Sequence, residues 1–241
     1  MPTLGNKMIA AIQNLAKILP LEKHYRWEIP ANVPIDMPSE IDNAFDRNIY
    51  LKEHLAQKLE NDNELEFHYW IIREWGGIKT FQMNERNNQK IREFRQQLKH
   101  NRLRRPTFNL ISSLSKLAAF WHPAEYSIYD SRAIFSLNWL IFRHSDNRRL
   151  FPQPIGRSAV VSMYDTSTLY RLSGIDYNDR DWRTAYHEYC ELLRYLAREA
   201  LNTDRPYYVE MLLFIAAPGF IVEDIRKNTK VQIDINTQQH A

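Results

Sequence analysis

The sequence has 241 residues and only six glycines: Gly5, Gly76, Gly77, Gly156, Gly174 and Gly219. Loops that cradle phosphate need clustered glycines so that the backbone can approach the anion. The single adjacent pair, Gly76-Gly77, continues as Ile-Lys and fits neither the G-x-x-x-x-G-K-[ST] nor the G-x-G-x-x-G pattern. P-loop ATPases, mononucleotide kinases and dinucleotide dehydrogenases are thereby disfavoured. So are tight two-residue hairpins, which need residues tolerant of positive φ. Cysteine is nearly absent. Cys190 stands alone, with no internal disulfide partner and no companion for a zinc or iron–sulfur site. Neither H-E-x-x-H nor G-x-S-x-G occurs, and the eight histidines show no ligand spacing, so no metal and no cofactor is expected. No apolar run approaches the roughly 18 residues of a membrane span, and the mean hydropathy is −0.54. The first 20 residues lack the charged, apolar and small-residue regions of a signal peptide. A cytoplasmic protein, away from membranes, is the expectation.

What is present is enough apolar sequence, 44%, to bury a core of ordinary size. The length suits a single domain, taken here as 1–241, with room for two helical lobes. Net charge is only +3, but the charge is segregated. Asp36 to Glu66 carries nine acids and three bases, whereas Arg86 to Arg132 carries ten Lys/Arg and three Asp/Glu. A basic block of this kind suits either a phosphate backbone or a solvated helix face.

Helical periodicity dominates and predicts a mainly α fold. Met8, Ile12, Leu15 and Leu19 mark a first helix ended by Pro20. Pro30, Pro34 and Pro38 make residues 25–38 an extended connector. Ser39 is placed to cap a helix reaching about Leu59, and a second runs from Glu64 to Trp75 before Gly76-Gly77. A basic helix covers 84–100. Pro106 and Thr107 open another from Phe108 to Trp121, stopped by Pro123. Further helices are expected over 130–143, 158–172, 179–201 and 206–216, with a loop over 146–155.

The segment able to carry chemistry is LISSLSKLAAFWHPAEYSIYDSRAIFSLNWL, residues 110–140. On its first helix Leu110, Ile111, Leu114, Leu117, Ala118 and Trp121 gather on one face, with Lys116 nearly opposite among Ser112, Ser115 and Ala119. Such a lysine either faces solvent or sits on a cleft wall that something bulky approaches. Asp130 stands at the N-cap position of the next helix, ahead of Ser131 and Arg132. Lys116 lies roughly 7–8 Å before its helix end, a distance that the intervening loop spans easily. Lysine and carboxylate can thus face one cleft. A lysine amine, once neutral, can attack an anomeric carbon and form a Schiff base. A carboxylate at a helix N-terminus can stabilise positive charge developing on a sugar. Arg102, Arg104, Arg105 and Arg132 are candidates for phosphates beside an extruded nucleotide, and Trp75, Phe81, Trp121 and Tyr207 are candidates for stacking on its base. The plainer reading makes Asp130 only a cap and the aromatics only core.

At these residues the chain resembles the helix-hairpin-helix DNA glycosylases. In that family a hairpin ends in a catalytic lysine and an aspartate opens a later helix (G-V-G-x-K…V-D-T-H). Here S-S-L-S-K, with Ser115 and Lys116, occupies the hairpin position, and I-Y-D-S-R, with Asp130, the aspartate position. SKLAAFWHPAEYSIYDSRA, the Trp-Gly-Gly-Ile at 75–78 and the YYVEMLLF at 207–214 look similar to stand-alone bacterial proteins with an 8-oxoguanine DNA glycosylase fold. The resemblance implies an all-helical, two-lobed glycosylase-like fold. It also implies base excision from duplex DNA with an extruded base, AP-lyase chemistry at Lys116, and a phosphate contact at Ser115. The pattern departs from the family in three places. The hairpin glycines are missing, Arg132 replaces the histidine, and the spacing from Lys116 to Asp130 is shorter than in most of the family. The alternative is a catalytically silent nucleic-acid- or protein-binding module of the same fold, in a bacterial defence setting.

Overall fold

A computed structural model describes residues 5–156 and 158–230. The fold is mainly α; the described strands are two parallel two-residue segments, β1 (Arg149–Leu150) and β2 (Asn178–Asp179). Among the described residues no helix is long and apolar enough to cross a membrane.

Helix α1 (Asn6–Ile18) buries Met8, Ile12 and Leu15, one face at helical spacing, and a short α2 (Leu21–His24) follows Pro20. The connector is free of helix and strand but not extended throughout, with a turn at 31–32 and a bend at 34–35, and the next cap is Asn43 rather than Ser39. The Asn43 side chain accepts the Asp46 N–H at 2.9 Å. The helix predicted to run to Leu59 is two pieces, α3 (Ala44–His54) and α4 (Ala56–Glu60), which meet at Leu55. Asp62 then caps α5 (Glu66–Tyr69) by accepting the N–H groups of Glu66, Phe67 and His68. The helix does not stay α to its end. Trp70–Trp75 is a π-helical stretch, in which the Gly76 N–H reaches back five residues to the Ile71 carbonyl at 2.8 Å. Gly77 ends it with φ of 65°, a conformation for which glycine carries no steric cost.

Helices α6 (Glu85–Leu98), α7 (Arg105–Phe108) and α8 (Ile111–Trp121) follow. Helix α8 is central, in contact with α3, α4, α6, α7 and the π-helical stretch. Its small residues allow neighbours to approach closely, so even the face opposite the apolar stripe is covered: Ser113, Ser115, Lys116 and Ala119 are all buried. Helix α9 (Ser131–His144) is capped by Asp130, as the sequence predicts. The helix expected over 158–172 is two short ones, α10 (Ala159–Ser162) and α11 (Thr166–Leu172). Helix α12 (Ala185–Leu201) starts six residues later than expected, because Asn178 and Asp179 pair with β1. Helix α13 (Pro206–Ala216), a second π-helical stretch (Ala217–Ile221) and α14 (Val222–Asn228) complete the described chain. Helix α9 packs on α13 and on α1, and α12 packs on α1 and α13.

Candidate functional site

Lys116 and Asp130 line the same cavity, of about 310 Å³. They arrive there by different routes. Lys116 sits in the second turn of α8 and is 6% exposed. Its Nζ donates to the Ser112 carbonyl at 2.5 Å, one turn earlier. Gly76 lets the lysine stem pass. A Cβ at that position would lie 2.7 Å from Lys116 Cδ and 2.8 Å from its Cε, closer than carbon atoms approach.

Asp130 is delivered by the extended stretch 126–130, whose backbone polar groups are satisfied by side chains. Ser115 Oγ accepts the Tyr129 N–H at 2.9 Å, and Tyr189 and Tyr186 hydroxyls donate to the Ile128 and Ser127 carbonyls. Cys190 Sγ accepts the Ser127 N–H at 3.5 Å. Burial pushes the Cys190 thiol up to about 12, so it stays protonated and inert. Tyr129 anchors the far side through its hydroxyl to the Pro152 carbonyl. The result holds Asp130 in extended geometry, where Oδ1 accepts the Arg132 N–H at 2.8 Å.

Aromatic rings wall the cavity: Trp75 from the π-helical stretch, Tyr25 and Trp27 from the connector, and Phe214 from α13. Trp75 is fixed through its indole N–H to Asn48 Oδ1, and the Trp27 indole N–H donates to the Trp75 carbonyl. Asn48 also donates to the Trp27 and Ala44 carbonyls, so one fully buried amide ties both wall tryptophans to α3. Arg132 lies across the Phe214 ring, 3.4 Å from its centroid, with Nε 3.8 Å from Asp130 Oδ1. Glu210, on α13, also lines the cavity. Burial raises its carboxyl to about 7, and the nearby Lys52 opposes that rise. Lys52 itself is lowered to about 8 by burial.

The cavity adjoins a larger groove of about 690 Å³, which shares Lys116, Asp130 and Ser131. Arg105, Ile78 and residues 108–113 border that groove on one side, and residues 152–156 on the other. Lys116 therefore stands where an inner pocket meets an outer groove.

The structure brings together only some of the residues singled out in the sequence. Lys116, Asp130, Arg132 and Trp75 share the inner pocket, and Arg105 borders the groove. Arg102 and Arg104 are exposed nearby on the chain. Ser115, expected at a phosphate, is instead fully buried and committed to the Tyr129 backbone. The other three aromatic candidates serve the core away from the cavity. Phe81 packs on Tyr69. Trp121 donates to His68, which in turn bonds Asp62. The Tyr207 hydroxyl donates to Glu53. Tyr25, Trp27, Phe214, Glu210 and Lys52 went unrecognised in the sequence. A single acid within the otherwise apolar PYYVEMLLFIA was the one visible signal. In comparisons with known proteins, no family model matches the chain, and no curated protein or solved structure matches it.

Proposed function

We propose that this chain is a DNA N-glycosylase with associated AP-lyase activity, in which Lys116 forms the Schiff base and Asp130 assists. The observation that carries the reading is the shared cavity: a buried lysine and a helix-capping carboxylate inside an aromatic-walled pocket that adjoins an open groove. An aromatic wall suits an extruded base, which stacks on one ring face and meets the edges of the others, because Trp27 stands steeply inclined to both Trp75 and Phe214. The sugar then lies at the junction of pocket and groove, within reach of Lys116. Asp130 stabilises the positive charge that grows on the sugar as the glycosidic bond breaks. Arg102, Arg104 and Arg105 steady the flanking phosphates, and Arg132 orders Asp130. In this reading the helices form two lobes, one built around α8 and one around α9 and α13, with the cleft between them. Such an enzyme acts in the cytoplasm on host or invading DNA.

The test is borohydride trapping on duplexes containing an abasic site or 8-oxoguanine. Wild-type protein is expected to crosslink and Lys116→Ala is not. A wild type that never crosslinks, or a Lys116→Ala variant that crosslinks equally well, sinks the reading. A second reading, binding without turnover, is favoured by the α7–α8 turn. Asn109 and Leu110 fill it, so no glycine there opens the backbone to a phosphate. Salt-sensitive DNA binding with no base release and no crosslink is its signature.

A further inference from the structure

Two buried charged groups beside the cavity have no role in the pair just described. Glu210 is 4% exposed, and its Oε2 has no hydrogen-bond partner among the described residues. Lys52, on α3, is fully buried and its Nζ has none either. The Lys52 ammonium is held by rings instead, 4.9 Å from the centroid of Phe120, 5.3 Å from Trp75 and 6.0 Å from Tyr207. Buried charged groups with unsatisfied polar atoms are expensive, and replacing them by apolar residues often stabilises a protein. A carboxylate that keeps an open acceptor site inside a reaction cavity therefore calls for a chemical reason.

Lysine chemistry supplies one. Lys116 attacks only as the neutral amine, so its proton must go to a base within the cavity. Asp130 is already engaged with the Arg132 N–H and guanidinium. Glu210 lines the same cavity as Lys116 and interacts with it electrostatically. We infer that Glu210 is the proton acceptor that frees the Lys116 amine for attack, and that Lys52 is the buried positioning charge that keeps Glu210 ready to accept. This rests on the glycosylase/lyase reading and adds a residue to it.

The step balances. A proton passes from the Lys116 ammonium to the Glu210 carboxylate. The freed lone pair forms an N–C1′ bond to the sugar aldehyde, giving a carbinolamine. Glu210 returns the proton to the departing hydroxyl, which leaves as water, and a protonated imine remains. The groups facing Glu210 agree with this use. Lys52 on α3 and Lys116 on α8 favour its anion, and Asp130 at the start of α9 disfavours it. Tyr25, beyond α2, and Tyr189, on α12, also feel Glu210 and are held protonated by burial. A carboxyl raised toward neutrality is matched to proton transfer near pH 7.

An abasic duplex is the decisive probe, because it carries no base for Glu210 to recognise. Imine trapping with cyanoborohydride is followed from pH 5.5 to 9.5 for wild type, Glu210→Gln, Glu210→Asp and Lys52→Met, each first checked for folding by thermal melting. Wild type is expected to show a rate that rises through a titration near pH 7. Glu210→Gln loses that titration and about 10²–10⁴-fold in rate at pH 7, recovering as the amine deprotonates in alkali. Glu210→Asp regains a titrating rate. Lys52→Met moves the midpoint to higher pH and keeps the alkaline plateau. A wild type that traps while Glu210→Gln keeps its rate and profile overturns this inference alone. So does a Glu210→Gln defect confined to substrates that still carry a base. If Glu210→Gln does not fold, an unmoved midpoint in Lys52→Met overturns it. A wild type that never traps abasic DNA removes the parent reading, and this inference with it.

Discussion

Replacing Gly76 by alanine tests whether close packing sets the position of Lys116. Gly76 has φ of −79° and ψ of −8°, dihedrals open to any residue, so alanine is not excluded by its own φ and ψ. The obstacle is space. The new methyl would lie 2.7 Å from Lys116 Cδ, 2.8 Å from its Cε and 2.8 Å from the Ile72 carbonyl oxygen. Carbon atoms rest at about 3.5–4.0 Å, so something must move by roughly 0.8 Å or more. The Ile72 carbonyl is held in the π-helical stretch by the Ile78 N–H at 3.0 Å. The lysine stem is the softer neighbour and is displaced, and the backbone at Gly76 must also shift slightly away from the Ile72 oxygen. A misplacement of order 1 Å in a reacting group costs about 10²-fold in rate, and overpacking costs about 1–3 kcal/mol of stability. Single-turnover trapping on an abasic duplex, run beside urea unfolding, reads both. The expected result is a rate about a hundredfold lower in a protein that still folds. Gly77→Ala is the control. Its φ of 65° imposes backbone strain of about 1–2 kcal/mol, and its effect on trapping should be the smaller. A Gly76→Ala protein that folds and traps at the wild-type rate refutes the idea that this contact positions Lys116.

Asp130→Asn keeps a good helix cap, so stability should change by less than about 1 kcal/mol. Base release should nevertheless fall by about 10²–10³-fold, as measured on 8-oxoguanine duplexes. Asn48→Leu orphans the Trp75 indole N–H and the Trp27 carbonyl. It should cost about 2–4 kcal/mol in denaturant unfolding, and a cost under about 1 kcal/mol would contradict the tie described above. Burial lowers the His68 pKa from 6.5, against the opposing pull of Asp62. As a base with a depressed folded-state pKa, His68 contributes stability in full above pH 6.5, and the contribution is lost as pH falls through the lower folded value. Unfolding free energy between pH 7.5 and 5 should therefore decline more steeply in wild type than in His68→Gln. Arg105→Ala should weaken DNA binding evenly across sequences and lower the slope of log affinity against log salt by about 1. An unchanged slope removes Arg105 from the proposed phosphate contacts.

Much of the secondary structure was legible because it depends on local order. The spacing of Met8, Ile12 and Leu15 marks α1, and Pro123 and Asp130 bracket the turn between α8 and α9. The misjudged elements have identifiable causes. Ser39 and Asn43 are both acceptable caps, and only the chain's path chose Asn43. The stretch from Glu64 to Trp75 has an unbroken helical pattern, yet its last turns widen to π geometry where Gly76 meets the Lys116 stem. A pattern of apolar residues does not distinguish the two helical forms.

The sequence by itself determined a mainly helical protein with a lysine facing away from an apolar stripe and an aspartate at the next helix start. Both follow from neighbours within a few residues, which is the range over which helix spacing and capping act. Whether Lys116 faced water or a cleft was decided only in three dimensions. Extended residues 126–130, the π-helical stretch and α13 enclose the cavity that Lys116 lines, and the lysine is buried. The same closure brings Tyr25, Trp27, Phe214 and Glu210 to one pocket from positions up to 189 residues apart. Periodicity tells which side of a helix is covered. What covers it depends on packing between distant segments, and no local pattern encodes that.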